Sequence, residues 1–336
     1  MTMTTETTPA TGAAVQRRTF GPDGPDVSIL SIGSWNTYSR LSFEAGVALV
    51  QHALELGIDT FDVAYYRDKP HTEVLFGRIL EVVGAPRERY RIVEKTWFSS
   101  YPERSLAAQL DATLVRLGLN DVDVILSEHP RPGMDVQAIA EEVADLVVSG
   151  RARAWGGMDW SPEQLRIAYE HLSGLGLPTP QGVQLKYSIA RQAVVEGSEF
   201  QTLHRDTGIT LMASDTMEGG ILAGKLAPER RIGIDTGNIR EQIIALVPDL
   251  QEVAAGLGCS AAQLALAFCL SNDAVSTVLF GATRPEHLDD GVAALGLRRR
   301  LGAEHIRELL LPYAVSGHKN DAPYEHAVDL TADFIA

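Results

Sequence analysis

Residues 27–64, VSILSIGSWNTYSRLSFEAGVALVQHALELGIDTFDVA, hold one complete strand, helix, strand passage. Short apolar runs stand at both ends. Between them FEAGVALVQHALELG carries apolar residues at helical spacing, opened by Ser42 and closed by Gly57, residue types that cap the two ends of a helix. A strand that returns through a helix builds a parallel pair. The same alternation continues through YRIVEKTWF, VDVILSEH, ARAWGGMDW, GVQLKYS, ITLMASD and STVLFGA, each followed by a helix-like stretch, as where Ser161-Pro162 opens EQLRIAYEHLSGLG. With the first two runs that makes eight strand-helix units, the pattern of an α/β chain closing into a (β/α)8 TIM barrel. A doubly wound open sheet is the rival, but no G-x-G-x-x-G follows the first run.

The chain has 336 residues, 45% of them hydrophobic, enough to fill a large core. Its formal net charge of −15 argues against nucleic acid or an anionic membrane as partner and leaves a small-molecule substrate as the expected ligand. Cys259 and Cys269 lack the spacing of a disulfide scaffold or a metal site, which points to a reducing, cytoplasmic setting with no metal. Residues 1–16, MTMTTETTPATGAAVQ, read as a polar, disordered leader, and 17–336 as one barrel domain with a C-terminal tail. No apolar run reaches the roughly 18 residues of a membrane-spanning helix.

In a barrel of this kind chemistry sits at the carboxyl ends of the strands. Asp62, Lys95, Glu128, Met158, Asp159, Gln184, Tyr187, Ser214 and Asp215 fall at or near those ends. Any one of them fits a cap or turn role. Several charged groups arriving together from different strands point to a site, because a buried unpaired charge costs several kcal/mol.

Over residues 17–315 the sequence resembles the aldo-keto reductase superfamily, and within it the branch of the potassium-channel beta subunits. GIDTFDVA resembles the second strand with its catalytic Asp, and IVEKTW the third with its catalytic Lys. LVRLGLNDVDVILSEHP is similar to the segment leading to the catalytic His, VQLKYS to the stretch under the nicotinamide, and GGILAGKL and FGATRPEHL to two cofactor-binding segments. The resemblance implies NADPH as cofactor and hydride transfer to a carbonyl, with a Tyr acid assisted by Lys, Asp and His. Asp62 and Lys95 match that pattern, and an ammonium beside a phenol lowers a pKa otherwise near 10.

The other half of the pattern departs from the family. In ungapped register the Tyr position is Arg67, with Tyr66 one earlier, and the His position is Glu128, with His129 one later. Either both loops have slipped by a residue and Tyr66 and His129 serve, or Arg67 and Glu128 replace the usual pair. The resemblance further implies cofactor contacts from Trp35, Met158, Asp159, Gln184, Tyr187, Ser214, Gly219, Leu222, Lys225, Thr283, Arg284, His287 and Asp290, with Met158-Asp159 where the family has Ser-Asn or Ser-Arg.

Trp35, Tyr38, Trp97, Phe98 and Trp160 are expected to wall an apolar pocket, or else to pack between barrel and helices. Residues 227–242, APERRIGIDTGNIREQ, are expected to form a loop over the site, and 316–336 a variable tail. The expected activity is NADP(H)-dependent reduction of a small or medium carbonyl or enone. The alternatives are a cofactor-independent lyase or isomerase using Lys95, Glu128 and Arg67, and a cofactor-sensing regulatory subunit.

Overall fold

An antiparallel pair, β1 (Arg17–Thr19) and β2 (Asp26–Ser28), precedes eight parallel strands that close on themselves in chain order. These are β3 (Leu30–Gly33), β4 (Thr60–Asp62), β5 (Arg91–Thr96), β6 (Val122–Glu128), β7 (Ala152–Met158), β8 (Gly182–Lys186), β9 (Thr210–Ser214) and β10 (Val275–Phe280), with β10 pairing back onto β3. The (β/α)8 barrel expected from the eight runs is therefore the fold. The computed structural model describes residues 15–35, 37–66, 69–226 and 238–315. Arg67, residues 1–14 of the expected leader, residues 227–237 of the expected loop and the 316–336 tail lie outside the described residues.

The helices between strands are α1 (Phe43–Leu56), α2 (Thr72–Val83), α3 (Leu106–Leu117), α4 (Val136–Val148), α5 (Pro162–Leu175), α6 (Ala193–Glu196) and α7 (Ser198–Thr207). After β9 come α8 (Ile239–Gly256) and α9 (Ala261–Leu270), and after β10 come α10 (Pro285–Leu301) and α11 (Ala303–Leu310). The caps legible in the sequence are made: Ser42 accepts from the backbone of Ala45, Gly57 closes α1 in left-handed conformation, and Ser161 and Gln164 form a capping box around Pro162. One boundary moves, because the loop expected through residue 242 gives way to α8 at Ile239.

The run VSILSIGSW also divides. Val27 and Ser28 belong to β2, and the barrel begins at Leu30. The hairpin of β1 and β2 closes the amino-terminal end of the barrel: Phe20, fully buried, lies so close to Gly182 that a Cβ there would come within 2.4 Å of its ring. Phe20 and Val27 join Val93, Val124, Leu126 and Met212 in the apolar plug of the barrel interior. A larger core fills the layer between strands and helices.

Side chains along a strand alternate between these two layers. Towards the carboxyl ends the inward positions turn polar: Val93 is followed by Lys95, Leu126 by Glu128, and Gln184 by Lys186. The chain thus spends its apolar residues on closing the bottom and its charges on the mouth. No single helix among the described residues is long and apolar enough to cross a membrane.

Candidate active site

Asp62, the last residue of β4, and Lys95 of β5 form an ion pair inside the barrel mouth, both side chains at most 5% exposed. Gln184 Nε2 from β8, across the barrel, donates to the second oxygen of Asp62 at 2.7 Å and also meets Met212 Sδ at 3.1 Å. The carboxylate is held from both sides, so the ammonium has one fixed position. A charge pair withdrawn from water keeps its value only with such added hydrogen bonds.

Glu128 ends β6 on the face shared by Val124 and Leu126, so alternation turns it into the mouth. Its Oε2 accepts from the backbone of Phe98 at 2.5 Å, and Arg131 Nη2 stands 3.8 Å away. His129, one residue on, is buried, and burial together with the Arg131 charge lowers its imidazole to a pKa of about 4. It is neutral at ordinary pH.

Tyr66 stands half-buried between two tryptophans. Its ring stacks on Trp35 at 6.3 Å between centroids and meets Trp97 edge-on at 6.5 Å. Its hydroxyl lies 3.3 Å from Ser34 Oγ, and the backbone of Ser34 donates to the carbonyl of Asp62. The neighbouring Tyr65 faces outward, with the Arg116 guanidinium over its ring. Of the aromatic residues expected to wall a pocket, Trp35 and Trp97 are half-buried, whereas Tyr38, Phe98 and Trp160 are wholly inside. Tyr38 packs on Phe76, and burial and Asp62 push its phenol pKa up. Trp160 donates to the carbonyls of Ser127 and Glu128 and packs where a Cβ on Gly157 would come within 2.6 Å of it. These three support the wall from behind.

The residues expected to hold a dinucleotide are spread over two places. Met158, packed against the interior plug, Asp159, Gln184 and Ser214 gather at the mouth. Asp159 is in left-handed backbone with φ 58 and donates its N–H to the carbonyl of Gln184. Burial raises its carboxyl to a pKa of about 6, against the pull of Lys186, and the charges of Asp215 and Glu128 add to the rise. Along the turn after β9, Gly219 has φ 68, Leu222 is buried and Lys225 is exposed. Thr283 and Arg284 precede α10, which no side chain caps. Arg284 Nη2 lies 3.1 Å from His287 Nε2, and burial, then Arg284, lowers the His287 pKa. Asp290 accepts from Gln263 of α9 at 2.8 Å.

Tyr187 does not join the mouth group. Its hydroxyl is taken up by Glu196, Asn272 and Arg307, and its ring packs on Phe268 in the helix layer. Alternation accounts for this, since Tyr187 is an odd step from the inward Gln184. By the same count Lys186 faces the mouth, a second ammonium that sequence reading missed because the inward face of β8 is fixed by the contact of Gln184 with Asp62.

A buried ammonium and carboxylate, a phenol held between indoles and an inward carboxyl at the carboxyl ends of barrel strands make a site suited to placing a polar oxygen and managing its proton. The chain is 27% identical over 315 residues to a putative voltage-gated potassium channel subunit beta of Schizosaccharomyces pombe, across 87% of this chain and 91% of that protein. The model of the Aldo/keto reductase family matches residues 29–309, from the start of the barrel to its last helix, and the chain belongs to that family.

Proposed function

We propose that the chain is an NADP(H)-dependent reductase of small or medium carbonyl or enone compounds. The observation that carries this is the buried Lys95–Asp62 pair, locked by Gln184 at the barrel mouth beside the Trp35, Tyr66 and Trp97 rings.

The donors present fit the proposed cofactor. The uncapped start of α10 leaves backbone N–H groups for an anion, and Arg284 brings a guanidinium to the same helix end. Lys225 adds an exposed ammonium on the turn after β9. Arg284, Thr283 and Lys225 would hold the phosphates, while Gln184, Asp159 and Ser214 would meet the nicotinamide end. NADPH, when bound, supplies the hydride.

The remaining chemistry falls to the chain's own side chains. Lys95 faces the oxygen that gains negative charge and stabilises it electrostatically. Asp62 and Gln184 keep that ammonium in place. Tyr66 carries the phenolic proton, with Ser34 orienting its hydroxyl. Glu128, supported by the Phe98 N–H, puts a carboxyl where the family pattern has its His. The indoles exclude water and give a flat substrate an apolar seat.

Titrating the purified chain with NADPH and NADP⁺ by fluorescence, then following NADPH consumption over a panel of aldehydes, ketones and enones, tests the proposal. Binding with turnover supports it, and absence of binding refutes it. A cofactor-sensing regulatory subunit is the second reading, favoured by the similarity to the putative channel subunit. It expects binding without turnover.

A further inference from the structure

We propose that Glu218 is a positioning residue for cofactor binding, its carboxylate setting the turn after β9 and with it the place of the Lys225 ammonium. This rests on the reductase reading, in which Lys225 takes a phosphate of the cofactor, and names the side chain that makes that contact available.

The chain leaves β9 at Ser214 and folds back on itself over residues 215–225. Glu218, Gly219 and Gly220 follow one another with φ 48, 68 and 100, a region of backbone that favours glycine. Glu218 is the exception among the three. A residue with a side chain stays in that conformation where its surroundings impose it.

The imposition comes through its own carboxylate, which is buried. Ser188 Oγ donates to Glu218 Oε1 at 2.7 Å, and Arg191 Nε meets both carboxylate oxygens at 3.1 and 3.0 Å. Ser188 and Arg191 are themselves buried and belong to the segment after β8. That segment is a fixed anchor. Ser188 Oγ accepts from the backbone of Ala190 and Arg191, Gln192 donates to the carbonyl of Leu310, and Val315 donates to the carbonyl of Ala190. A buried charge pair adds little to stability by itself, and fixing one arrangement among several is its best attested use.

From Glu218 the bonding runs directly to Lys225. The backbone of Glu218 donates to the carbonyl of Asp215, and its own carbonyl accepts from Ile221. The carbonyl of Gly220 accepts from Ala223 at 3.1 Å and from Lys225 at 2.9 Å. The stem of Lys225 lies over Gly220, where a Cβ would stand 3.5 Å from the Cβ of Lys225 and 3.6 Å from its Cδ. Ile221 and Leu222 are buried, whereas Lys225 is exposed. The turn is thus pinned at its start by Glu218 and offers an ammonium at its end.

Charge alone predicts the opposite of this proposal. Removing an acid near bound phosphates should tighten an anion, but a positioning role makes its removal weaken the same anion. NADPH is the probe, with tryptophan fluorescence quenching to read affinity and circular dichroism to read folding. A Glu218→Gln, Arg191→Met double variant removes both charges of the brace together. It should bind NADPH about tenfold more weakly, the worth of one charge-assisted contact, and Lys225→Met should do the same. Added to Lys225→Met, the double variant should cost less than about twofold more, because both changes remove one contact. Ser188→Ala, which keeps the ion pair and loses one hydrogen bond, should weaken NADPH by about two- to threefold. Should the double variant lose its fold, Ser188→Ala carries the same cycle against Lys225→Met.

Unchanged or tighter NADPH binding without the brace overturns the positioning role and leaves the reductase reading standing. Full, additive weakening on top of Lys225→Met also overturns it, since the effect would then bypass Lys225. No binding of NADPH by the wild-type chain overturns the reductase reading, and the positioning role with it.

Discussion

Two adjacent residues of β5 face opposite layers of the barrel. Lys95 points into the mouth and meets Asp62, whose other oxygen is held by Gln184. Glu94 points into the layer between β5 and the helices, where it is fully buried and confronts another acid, Glu73 of α2. Glu73 is already engaged by Thr113 and Arg116. Burial first, then Glu73, pushes the Glu94 carboxyl well above the ordinary carboxylate range, so it keeps its proton. The contrast shows that burial of an ionisable group does not mark a site. In the mouth a partner of opposite sign lets charge persist and act, whereas in the helix layer an acid facing an acid survives by being neutral.

The largest effect that could break this contrast lies on the mouth side. A Lys95→Met, Asp62→Asn double variant removes the pair without stranding either charge. It should fold, as read by circular dichroism, and lose about 10² to 10⁴ in turnover under the reductase reading. Full activity would make the pair purely structural. Tyr66→Phe should cost about 10² or more in kcat, with the loss smaller in KM, since it removes a proton donor and keeps the ring between the indoles. An unaffected kcat would move the acid to another residue.

On the helix side the expected effect is on stability. A carboxyl whose folded pKa lies above its unfolded value binds more protons when folded, so it lowers stability as pH rises through that interval. Above the unfolded value of 4.5 the slope is about 1.4 kcal/mol per pH unit from this one group, until the folded pKa is reached. Glu94→Gln should flatten the decline of Tm with pH and leave turnover unchanged. A Tm profile identical to wild type would show that Glu94 is not held protonated. The smallest effect concerns cofactor choice: Arg284→Ala should weaken NADPH by about tenfold and NADH little, because the guanidinium would grip the 2′-phosphate. Equal weakening of both would place Arg284 away from that group.

Much of this molecule was legible in its sequence because the signals are local. Strand runs, helix periods, the Ser42 and Ser161 caps and the left-handed Gly57 depend on neighbours within a few residues. Asp62 and Lys95 are two of nine residues that strand-end convergence singles out, and their resemblance to the family's second and third strands set them apart from the other seven. The hairpin of residues 17–28 was missed, since strands of three residues leave no pattern to count.

The faces of individual side chains were decided only by the tertiary structure. Whether Glu128 or His129 enters the mouth turns on a single step of alternation, and a one-residue error reverses the answer. Tyr187 was drawn away by Glu196, Asn272 and Arg307, the last two 85 and 120 residues further along the chain. Lys186 became visible as a mouth residue once Gln184 was seen to reach Asp62, 122 positions away. The sequence by itself determined the barrel, because periodicity needs no knowledge of partners, and the family resemblance, not strand-end position alone, marked Asp62 and Lys95 as a pair. The orientation of the remaining site residues came from strand pairing across the closed sheet, which no local stretch encodes.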